Sequence, residues 1–251
     1  MTLRSNLLAL CLTSLVAFPA HGCHHPLRVG WDDWPPYHFR NAKGEMQGFA
    51  VEVLQSVVKE MGCAVHFRER PWKRQLLELQ SGEADIAMEA YYNDERAKYA
   101  YFSESYSPRT SNLWIRKNTS IQASNIGELM DKGLLLGVTR NFYYGPEIQK
   151  RLSAPNINAV LSEQTNYHKL QKKRIDGFLG DWLATTWGLK QQGLENEIVR
   201  STLPVYSAPA FFMISKKTLS AQFVSRFNQA LEKIKQEGLY QQILDKYTKV
   251  N

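Results

Sequence analysis

The spacing of the reactive side chains matches only one catalytic pattern. Ser56-Val-Val-Lys59 has the spacing Ser-x-x-Lys, in which a lysine could activate a serine nucleophile. Both residues lie in a stretch with the apolar periodicity of a helix, and the companion motifs of that class of enzyme are missing. Gly-x-Ser-x-Gly, His-Glu-x-x-His and the Walker loop do not occur. The sequence therefore contains no convincing motif for a hydrolase or a nucleotide-binding enzyme.

Metal-ligating side chains are concentrated in the cluster His21-Gly-Cys-His-His25. Imidazole and thiolate groups bind transition metals, but this cluster precedes the first predicted strand, so no element holds the donors in place. Cys-x-x-Cys is absent, which excludes a redox motif and a paired-cysteine zinc site. We expect no metal and no cofactor.

The amino-terminal stretch is typical of an export signal. Arg4 precedes an apolar segment, residues 7–17, and the small residues Ala20 and Gly22 follow. A short apolar segment behind one positive charge that ends in small residues predicts a cleaved signal peptide at residues 1–22. Lipidation of Cys23 is an alternative, although His21 stands where a small or apolar residue is expected.

Export bears on the cysteines of the mature chain, Cys23 and Cys63. Two cysteines in an oxidising compartment commonly form a disulfide. Cys23 lies just before the predicted strand 27–30, and Cys63 opens the predicted strand 63–67. Parallel strands of one β-α-β unit begin at the same end of the sheet, so the two sulfur atoms could meet. We therefore predict a Cys23–Cys63 disulfide.

Composition and charge exclude several other classes of protein. The 251 residues are 43% hydrophobic and 22% charged, an ordinary globular composition. The length fits one large domain or two lobes of about a hundred residues each. The net charge of +7 is scattered, with its densest run at residues 169–174, and no nucleic-acid-binding module accompanies it. No apolar run after residue 25 is long enough to span a bilayer, so we expect neither nucleic-acid binding nor a polytopic membrane protein.

Strands and helices alternate in the first part of the mature chain. Phe49, Val53 and Val57 lie on one helical stripe, which Gly62 ends. The predicted order is strand 27–31, helix 49–61, strand 63–68, helix 72–80 and strand 84–88. This β-α-β-α-β order favours a parallel sheet covered by helices.

A second unit of the same kind begins near residue 114. Its predicted elements are strand 134–138, helix 144–152, strand 157–161, helix 165–173, strand 175–179 and helix 181–191. A strand at 211–214 and a long helix at 220–247, broken near Gly238, complete the chain. Two α/β units of similar size indicate two lobes and a cleft, and ligands of such sheets bind beyond the carboxyl ends of the strands.

Six segments carry a recognisable pattern when they are read in order. They are residues 27–37, 44–54 and 79–86, then Asp94-Glu-Arg-Ala-Lys-Tyr-Ala-Tyr-Phe-Ser103, Ile175-Asp-Gly-Phe-Leu-Gly-Asp181 and residues 238–247. Each motif alone is weak, but their order and spacing resemble the bacterial extracellular solute-binding proteins of family 3. These are the polar amino-acid-type periplasmic binding proteins, and the resemblance covers the whole mature chain.

The resemblance implies a two-lobed α/β fold, the periplasmic binding protein type II fold. Each lobe is a sheet flanked by helices, two crossover strands form a hinge, and the lobes close on a ligand. We expect lobe 1 to comprise residues 26–109 and 207–251, and lobe 2 residues 110–206. The implied function is a monomeric, non-enzymatic periplasmic protein that captures a small polar, amino-acid-like ligand. It delivers this ligand to the membrane permease of an ABC transporter.

The resemblance also implies roles for Arg96 and Asp181. In the family, an arginine at the position of Arg96 binds the ligand α-carboxylate, and an aspartate at the position of Asp181 binds the α-ammonium from the other lobe. A guanidinium matches a carboxylate with its planar fork of donors, and charge-assisted bonds are strong in a closed cleft. Without the resemblance, Arg96 is typical of an exposed charge, and Asp181, which follows Gly180, of a helix N-cap.

Aromatic residues could form the walls of the cleft. Trp34 and Tyr37 follow the first strand, and Trp72 begins a helix after Pro71. Their positions are similar to those at which the family places pocket walls, and aromatic faces hold apolar or cationic side chains. Tyr37, beside Pro35-Pro36, could equally belong to the core.

The chain departs from the family pattern in two segments. Small hydroxyl residues usually precede the arginine, whereas this chain has Glu89 and Tyr91 there. Asn141 and Phe142 stand in the segment where the family commonly opens a helix with Gly-Thr. We include all four residues in the predicted ligand site.

The charges expected in the cleft leave the ligand open. Glu89 and Asp181, with Asp32 as a further candidate, outweigh Arg96 and indicate a cleft that tolerates a cationic ligand. The alternative is a ligand that is not a standard α-amino acid.

Two other classes of function compete with solute binding. A secreted dehydratase that acts on prephenate- or arogenate-like acids is known on this fold. It would require a general acid in the cleft, for which Glu89 is the candidate. A ligand-sensing module is the third class, which the sequence favours less because it carries no signalling or transmembrane domain.

Overall fold

The computed structural model describes residue 23 and residues 25–140 and 142–248. The predicted signal peptide, residues 1–22, and the predicted site residue Asn141 lie outside the described residues. The described chain has an α/β structure in which a nine-stranded sheet runs through both lobes beside a separate two-stranded hairpin.

The first lobe contains the predicted β-α-β-α-β unit. In chain order its elements are β1 (Leu27–Trp31), β2 (Phe39–Arg40), β3 (Met46–Gln47), α1 (Phe49–Glu60), β4 (Val65–Glu69), α2 (Trp72–Ser81), β5 (Ile86–Tyr91), α3 (Asp94–Ala97) and β6 (Ala100–Phe102). β1 is the centre of the unit and pairs in parallel with both β4 and β5. The hairpin of β2 and β3 was not predicted, because its two-residue strands are too short to show a period.

Gly48 sets the start of α1 against the loop that follows β1. Its φ of 134° lies in the region that favours glycine, and a Cβ atom there would lie 2.3 Å from the carbonyl oxygen of Tyr37. The main chain closes this junction, since the amide of Ala50 donates to the same carbonyl at 2.9 Å. The packing of the α1 start thereby holds Tyr37 in place.

The second lobe follows a long strand, β7 (Ser107–Arg116). Its elements are α4 (Ile126–Asp131), β8 (Leu136–Thr139), α5 (Pro146–Lys150), β9 (Ile157–Val160), α6 (Glu163–Gln171), β10 (Gly177–Asp181) and α7 (Trp182–Gln191). β8 pairs in parallel with β9 and β10, as the alternation of elements predicts. The helix predicted from residue 144 begins only at Pro146, because Gly145 before it has a φ of 97°.

Two long strands join the lobes. β7 pairs antiparallel with β10 in the second lobe, and β11 (Ile198–Ser215) pairs antiparallel with β7 along its first part and with β5 along its last. The sheet order is therefore β4-β1-β5-β11-β7-β10-β8-β9. This confirms the two-lobed fold with two crossover strands. The strand predicted at 211–214 is only the end of β11.

Prolines face each other in the paired crossover strands. Pro108 of β7 is in register with Pro209 of β11, directly beside the pair formed by Arg109 and Ala208. A further proline, Pro204, is opposite Asn112, and the register shifts on both sides of it. Proline has no amide hydrogen, so the ladder lacks donors at these positions.

The chain ends in two helices that return to the first lobe, α8 (Ala221–Gln236) and α9 (Leu239–Thr248). Their apolar faces join α1 and β1 in one core cluster, which includes Phe227, Leu231 and Ile243. Two other clusters lie in the second lobe, one around Leu136 and one around Phe178. Within the described residues, no helix has both the length and the apolar character that a membrane crossing requires.

The predicted disulfide between Cys23 and Cys63 is present, with the two Cα atoms 5.0 Å apart. β1 and β4 run in parallel with Leu27 opposite Val65, so both cysteines precede their strands at the same end of the sheet. The expectation from the β-α-β unit is confirmed, and the bond ties the start of the described chain to the end of α1.

Candidate ligand-binding site

Side chains of both lobes meet where the strands end. Trp34 and Tyr37 follow β1, Tyr91 ends β5, Phe142 follows β8 and Asp181 ends β10. The rings of Trp34 and Phe142 have centroids 6.1 Å apart, which joins the lobes on one side of the cleft. Tyr91 and Tyr143, with centroids 6.0 Å apart, join them on another. The structure thus brings these five predicted residues into one interlobe cluster.

Asp181 lies at the centre of this cluster and also caps a helix. Its Oδ1 accepts hydrogen bonds of 3.1 Å from the amides of Leu183 and Ala184, the first turn of α7. The same oxygen accepts a 2.9 Å hydrogen bond from the hydroxyl of Tyr37 in the other lobe. Capping and a position in the cleft are therefore compatible, and the cap orients the carboxylate toward the first lobe.

Arg109 is the main site residue that the sequence analysis missed. Its guanidinium carbon lies 4.2 Å from the ring centroid of Trp34 and 4.8 Å from that of Tyr91. Its Nε is 3.5 Å from Oδ2 of Asp181, and its side chain is only 13% exposed. Burial is the largest single effect and opposes its charge, but the combined effects of Asp181, Tyr91, Tyr37 and Glu89 outweigh it and raise the pKa of Arg109.

The same group of charges and rings acts on Tyr37. Burial, followed by the negative charge of Asp181, raises the pKa of Tyr37 well above its ordinary value. Tyr37 therefore keeps its proton at any physiological pH and serves as a hydrogen-bond donor. Its ring also packs edge-on against Phe49, so it belongs to the core as well as to the cleft.

Glu89 is buried beside Arg109 in an uncommon backbone conformation. It has a φ of 53°, its residue is 5% exposed, and neither carboxylate oxygen has a hydrogen-bond partner within the described part of the chain. Burial raises its pKa to about 7, against the opposing effect of the Arg109 charge. Its own amide donates a 3.0 Å hydrogen bond to the hydroxyl of Tyr106. Glu89 is thus a buried carboxyl group that takes up a proton at a higher pH than an ordinary glutamate, with the hydroxyl groups of Tyr106 and Ser107 near it.

Arg96 and Trp72 form a pair at the edge of the cluster. The guanidinium of Arg96 lies 5.3 Å from the ring centroid of Trp72, and its Nη1 donates a 2.8 Å hydrogen bond to the carbonyl of Tyr91. Burial lowers the pKa of Arg96. The helix α3 that carries Arg96 is capped by Asn93, whose side chain accepts from the amide of Arg96 at 2.8 Å. The pair therefore reaches the cluster through the backbone of Tyr91.

Asp32, the further acidic candidate, is engaged elsewhere in the first lobe. Its Oδ1 accepts a 3.2 Å hydrogen bond from Gln75 and lies 3.9 Å from the ring nitrogen of His38. Burial lowers the pKa of His38, so the neutral imidazole is favoured. The charges that meet at the centre of the cleft are those of Asp181 and Arg109, with Glu89 beside them.

Another carboxyl group with a raised pKa, that of the partly buried Glu163, lies near Asp181. Glu163 accepts a 2.8 Å hydrogen bond from Tyr167 and a 2.5 Å hydrogen bond from Thr185, and burial raises its pKa to about 7. A Cβ atom on Gly180 would lie 2.2 Å from the hydroxyl oxygen of Thr185 and 3.2 Å from Glu163. This packing fixes the end of β10. Within the described residues, no group of three or more side chains could hold a metal ion.

Comparisons with known proteins agree with the resemblance. An arginine-binding periplasmic protein of Mannheimia haemolytica is 27% identical over 216 residues, which cover 85% of this chain and 87% of that protein. An L-cystine-binding protein of Escherichia coli strain K12 is 23% identical over 215 residues, which cover 85% and 79%. The solved structure of an ancestral cationic amino acid solute-binding protein has a TM-score of 0.74 at 22% identity, covering 88% of this chain and 95% of that one.

A family model extends this agreement over almost the whole described chain. The model of the bacterial extracellular solute-binding proteins, family 3, matches residues 27–250. Its match includes both lobes, both crossover strands and the cleft between them. The chain belongs to the bacterial extracellular solute-binding proteins, family 3.

Proposed function

We propose that this chain is a periplasmic protein that captures an amino-acid-like ligand between its lobes and delivers it to an ABC transporter permease. The observation that supports this most directly is the hydrogen bond between Asp181 of one lobe and Tyr37 of the other, beside the rings of Trp34 and Tyr91. A ligand that bonds to both lobes has a higher affinity for the closed state, which is what drives closure. Relatives that are named for binding arginine, histidine or L-cystine support an amino-acid-like ligand.

The proposed site contains a cationic and an anionic side chain, which match the carboxylate and the ammonium group of a free amino acid. Arg96 is proposed to bind the ligand α-carboxylate, since its guanidinium is held at the edge of the cluster by Trp72 and the carbonyl of Tyr91. Asp181 is proposed to bind the α-ammonium through Oδ2, which has no hydrogen-bond partner among the described residues. The two charges come from opposite lobes, so they would hold a zwitterion only when the lobes are closed.

Aromatic and polar residues complete the proposed site. Trp34, Tyr37, Trp72, Tyr91 and Phe142 form its walls, and Asn141 and Glu89 are its further polar members. The proposed lobes are residues 26–109 with 207–251, and residues 110–206. We further propose export by a cleaved signal at residues 1–22 and a monomeric state.

The experiment is a thermal-shift screen of the mature protein with the twenty amino acids, polyamines, small organic acids and prephenate. A ligand at a hundred times its dissociation constant stabilises the folded state by ~2.7 kcal/mol, which a melting curve detects. Asp181→Asn removes the charge and retains a good N-cap, so it should lose the ligand shift. Because it also removes the charge opposite the buried Arg109, its melting temperature without ligand should be lower than that of the wild type, and the ligand shift is measured from that value. The matched control is Asp131→Asn, at a side chain that is 66% exposed. A full ligand shift in Asp181→Asn would refute the proposed role of Asp181.

A dehydratase of prephenate- or arogenate-like acids is the second candidate. The observation that favours it is Glu89, a buried carboxyl group with a pKa raised to about 7, as a general acid requires. The two functions separate when the ligand is recovered after incubation and analysed by mass spectrometry. An unchanged ligand supports the binding protein, and a consumed one supports the enzyme.

A further inference from the structure

The cationic side chain of Arg109 lies among the acidic and aromatic residues of the cleft. The guanidinium of Arg109 lies against the faces of Trp34 and Tyr91, and its charge is opposite that of Asp181. Aromatic faces and a carboxylate are the groups that recognise a cationic side chain. Arg109 therefore fills the kind of subsite that would otherwise accept a lysine, arginine or histidine side chain.

The location of Arg109 in the fold holds it there. It stands on β7, opposite Ala208 of β11, where the chain passes from one lobe to the other. From this position its side chain reaches residues of both lobes, and it is only 13% exposed. A cationic side chain of a ligand would have to share the rings of Trp34 and Tyr91 with Arg109 at short range, where like charges repel strongly because water is largely excluded.

Arg109 also has unused capacity to bind an anion. Its Nε–H has no hydrogen-bond acceptor among the described residues, and the nearest Asp181 oxygen, Oδ2, is 3.5 Å away. A guanidinium presents its donors as a planar fork that fits a carboxylate. With Arg96 and Asp181, the cleft has two cations and one anion, which complement an amino acid with two carboxylates and one ammonium. Below about pH 7 the carboxyl group of Glu89 is mostly protonated, so it adds little charge to this balance there and can donate a hydrogen bond.

We propose that Arg109 determines the charge selectivity of the cleft: it excludes amino acids with cationic side chains and binds the side-chain carboxylate of an acidic amino acid. This inference rests on the proposed function, since it assigns the ligand class of the same site.

The experiment measures binding by isothermal titration calorimetry with L-glutamate, L-aspartate, L-glutamine, L-arginine and L-lysine. The proteins are the mature wild type, Arg109→Ala, Arg109→Gln and the control Arg200→Ala. Arg200 is an exposed arginine on the other crossover strand. Arg109→Gln keeps hydrogen-bonding groups without the charge and serves if Arg109→Ala is too unstable to study.

We expect the wild type to bind L-glutamate or L-aspartate at least tenfold more tightly than L-arginine and L-lysine. The Arg109 variants should bind acidic ligands at least tenfold more weakly than the wild type does, and cationic ligands more tightly. Arg200→Ala should have the affinities of the wild type. A residue that only braced the hinge would change the affinity for all five ligands in the same direction, so the reversal of preference is specific to the proposed role.

Two results would overturn the inference alone. One is a wild type that prefers L-arginine or L-lysine, and the other is an Arg109 variant that binds amino acids with the preference of the wild type. If neither the wild type nor any variant bound an amino acid in this panel or in the wider thermal-shift screen, the proposed function itself would fail, and the inference with it.

Discussion

Tyr37 of the first lobe donates a 2.9 Å hydrogen bond to Asp181 of the second lobe, and both residues are buried. The oxygen that accepts this bond also caps α7, so one carboxylate links the interface between the lobes to the start of a helix. The relative position of the lobes and the orientation of the proposed ammonium-binding group therefore depend on the same contact.

Replacing Tyr37 by phenylalanine should test that contact. The ring would still pack against Phe49, so only the hydrogen bond is lost, and Asp181 keeps its two amide donors. We expect the free energy of unfolding to fall by about 1 kcal/mol, measured by urea denaturation. Tyr101→Phe is the control, because its ring lies beside Lys216 in the first lobe. Equal stability of the two variants would mean that the hydrogen bond contributes nothing to the folded state.

Arg96→Ala should abolish binding of a carboxylated ligand and leave the fold almost unchanged. Loss of a charge-assisted pair in a closed cleft costs ~3 kcal/mol, or about a hundredfold in affinity. Calorimetry gives the affinity, and circular dichroism melting gives the stability. Lys98→Ala is the control, since Lys98 is 67% exposed and pairs with Glu95 at the surface. Retained affinity in Arg96→Ala would rule out the proposed role of Arg96.

Glu89 should make the protein less stable as the pH rises. The pKa of its carboxyl group rises from an ordinary 4.5 to about 7 on folding, so the folded state holds the proton more tightly than the unfolded state does. Its contribution is fully present below about pH 4.5 and is lost as the pH rises through 7. Glu89→Gln should therefore gain stability relative to the wild type between pH 5 and pH 8, by up to ~3 kcal/mol.

The measurement for Glu89 is a series of urea denaturations at pH values across that range. Glu195→Gln, at an exposed position, is the control and should follow the wild type. The pKa of Glu163 is also raised to about 7, so Glu163 makes the free energy of unfolding fall with rising pH in all of these proteins alike. A constant difference between Glu89→Gln and the wild type at all pH values would show that Glu89 ionises normally.

Reduction of the Cys23–Cys63 bond should destabilise the protein. The two cysteines are 40 residues apart, and a loop of that length restricts the unfolded chain enough to contribute about 4 kcal/mol in the chain-entropy account. Urea midpoints with and without a thiol reductant measure the effect. The double variant Cys23→Ser with Cys63→Ser should not respond to the reductant. Thiol labelling of the unfolded, exported protein should find no free thiol, and two free thiols would contradict the bond.

The regular periodicity of the first lobe made its elements predictable. The stripe of Phe49, Val53 and Val57 marks α1, and all three residues are buried against the sheet. β11 could not be recognised in the same way, because polar residues and prolines interrupt it, from Arg200 to Pro209. It forms because β7 and β5 offer partners along its length, which is a tertiary effect that local sequence does not carry.

Arg109 shows why part of the site could not be predicted from the sequence. In the sequence, Ser-Pro-Arg-Thr reads as an exposed polar segment, and the direction of the side chain depends on the register of β7 against β11. One signal was available, since a crossover strand between two lobes is buried and a charge within it needs a partner. Trp34, Tyr37, Tyr91 and Asp181 were identified from their positions after strands, which the topology of parallel sheets brings to one edge.

The facing prolines 108 and 209 have a consequence for how the two lobes can move. Neither residue has an amide hydrogen, so this rung of the ladder contains no hydrogen bond that rotation would break. At this rung the two crossover strands therefore lack the main-chain hydrogen bonds that elsewhere oppose a change in their relative twist. Arg109 is the next residue of β7. Any rotation of the strands at this rung would therefore move its guanidinium group, which lies against Trp34 of the first lobe and Asp181 of the second.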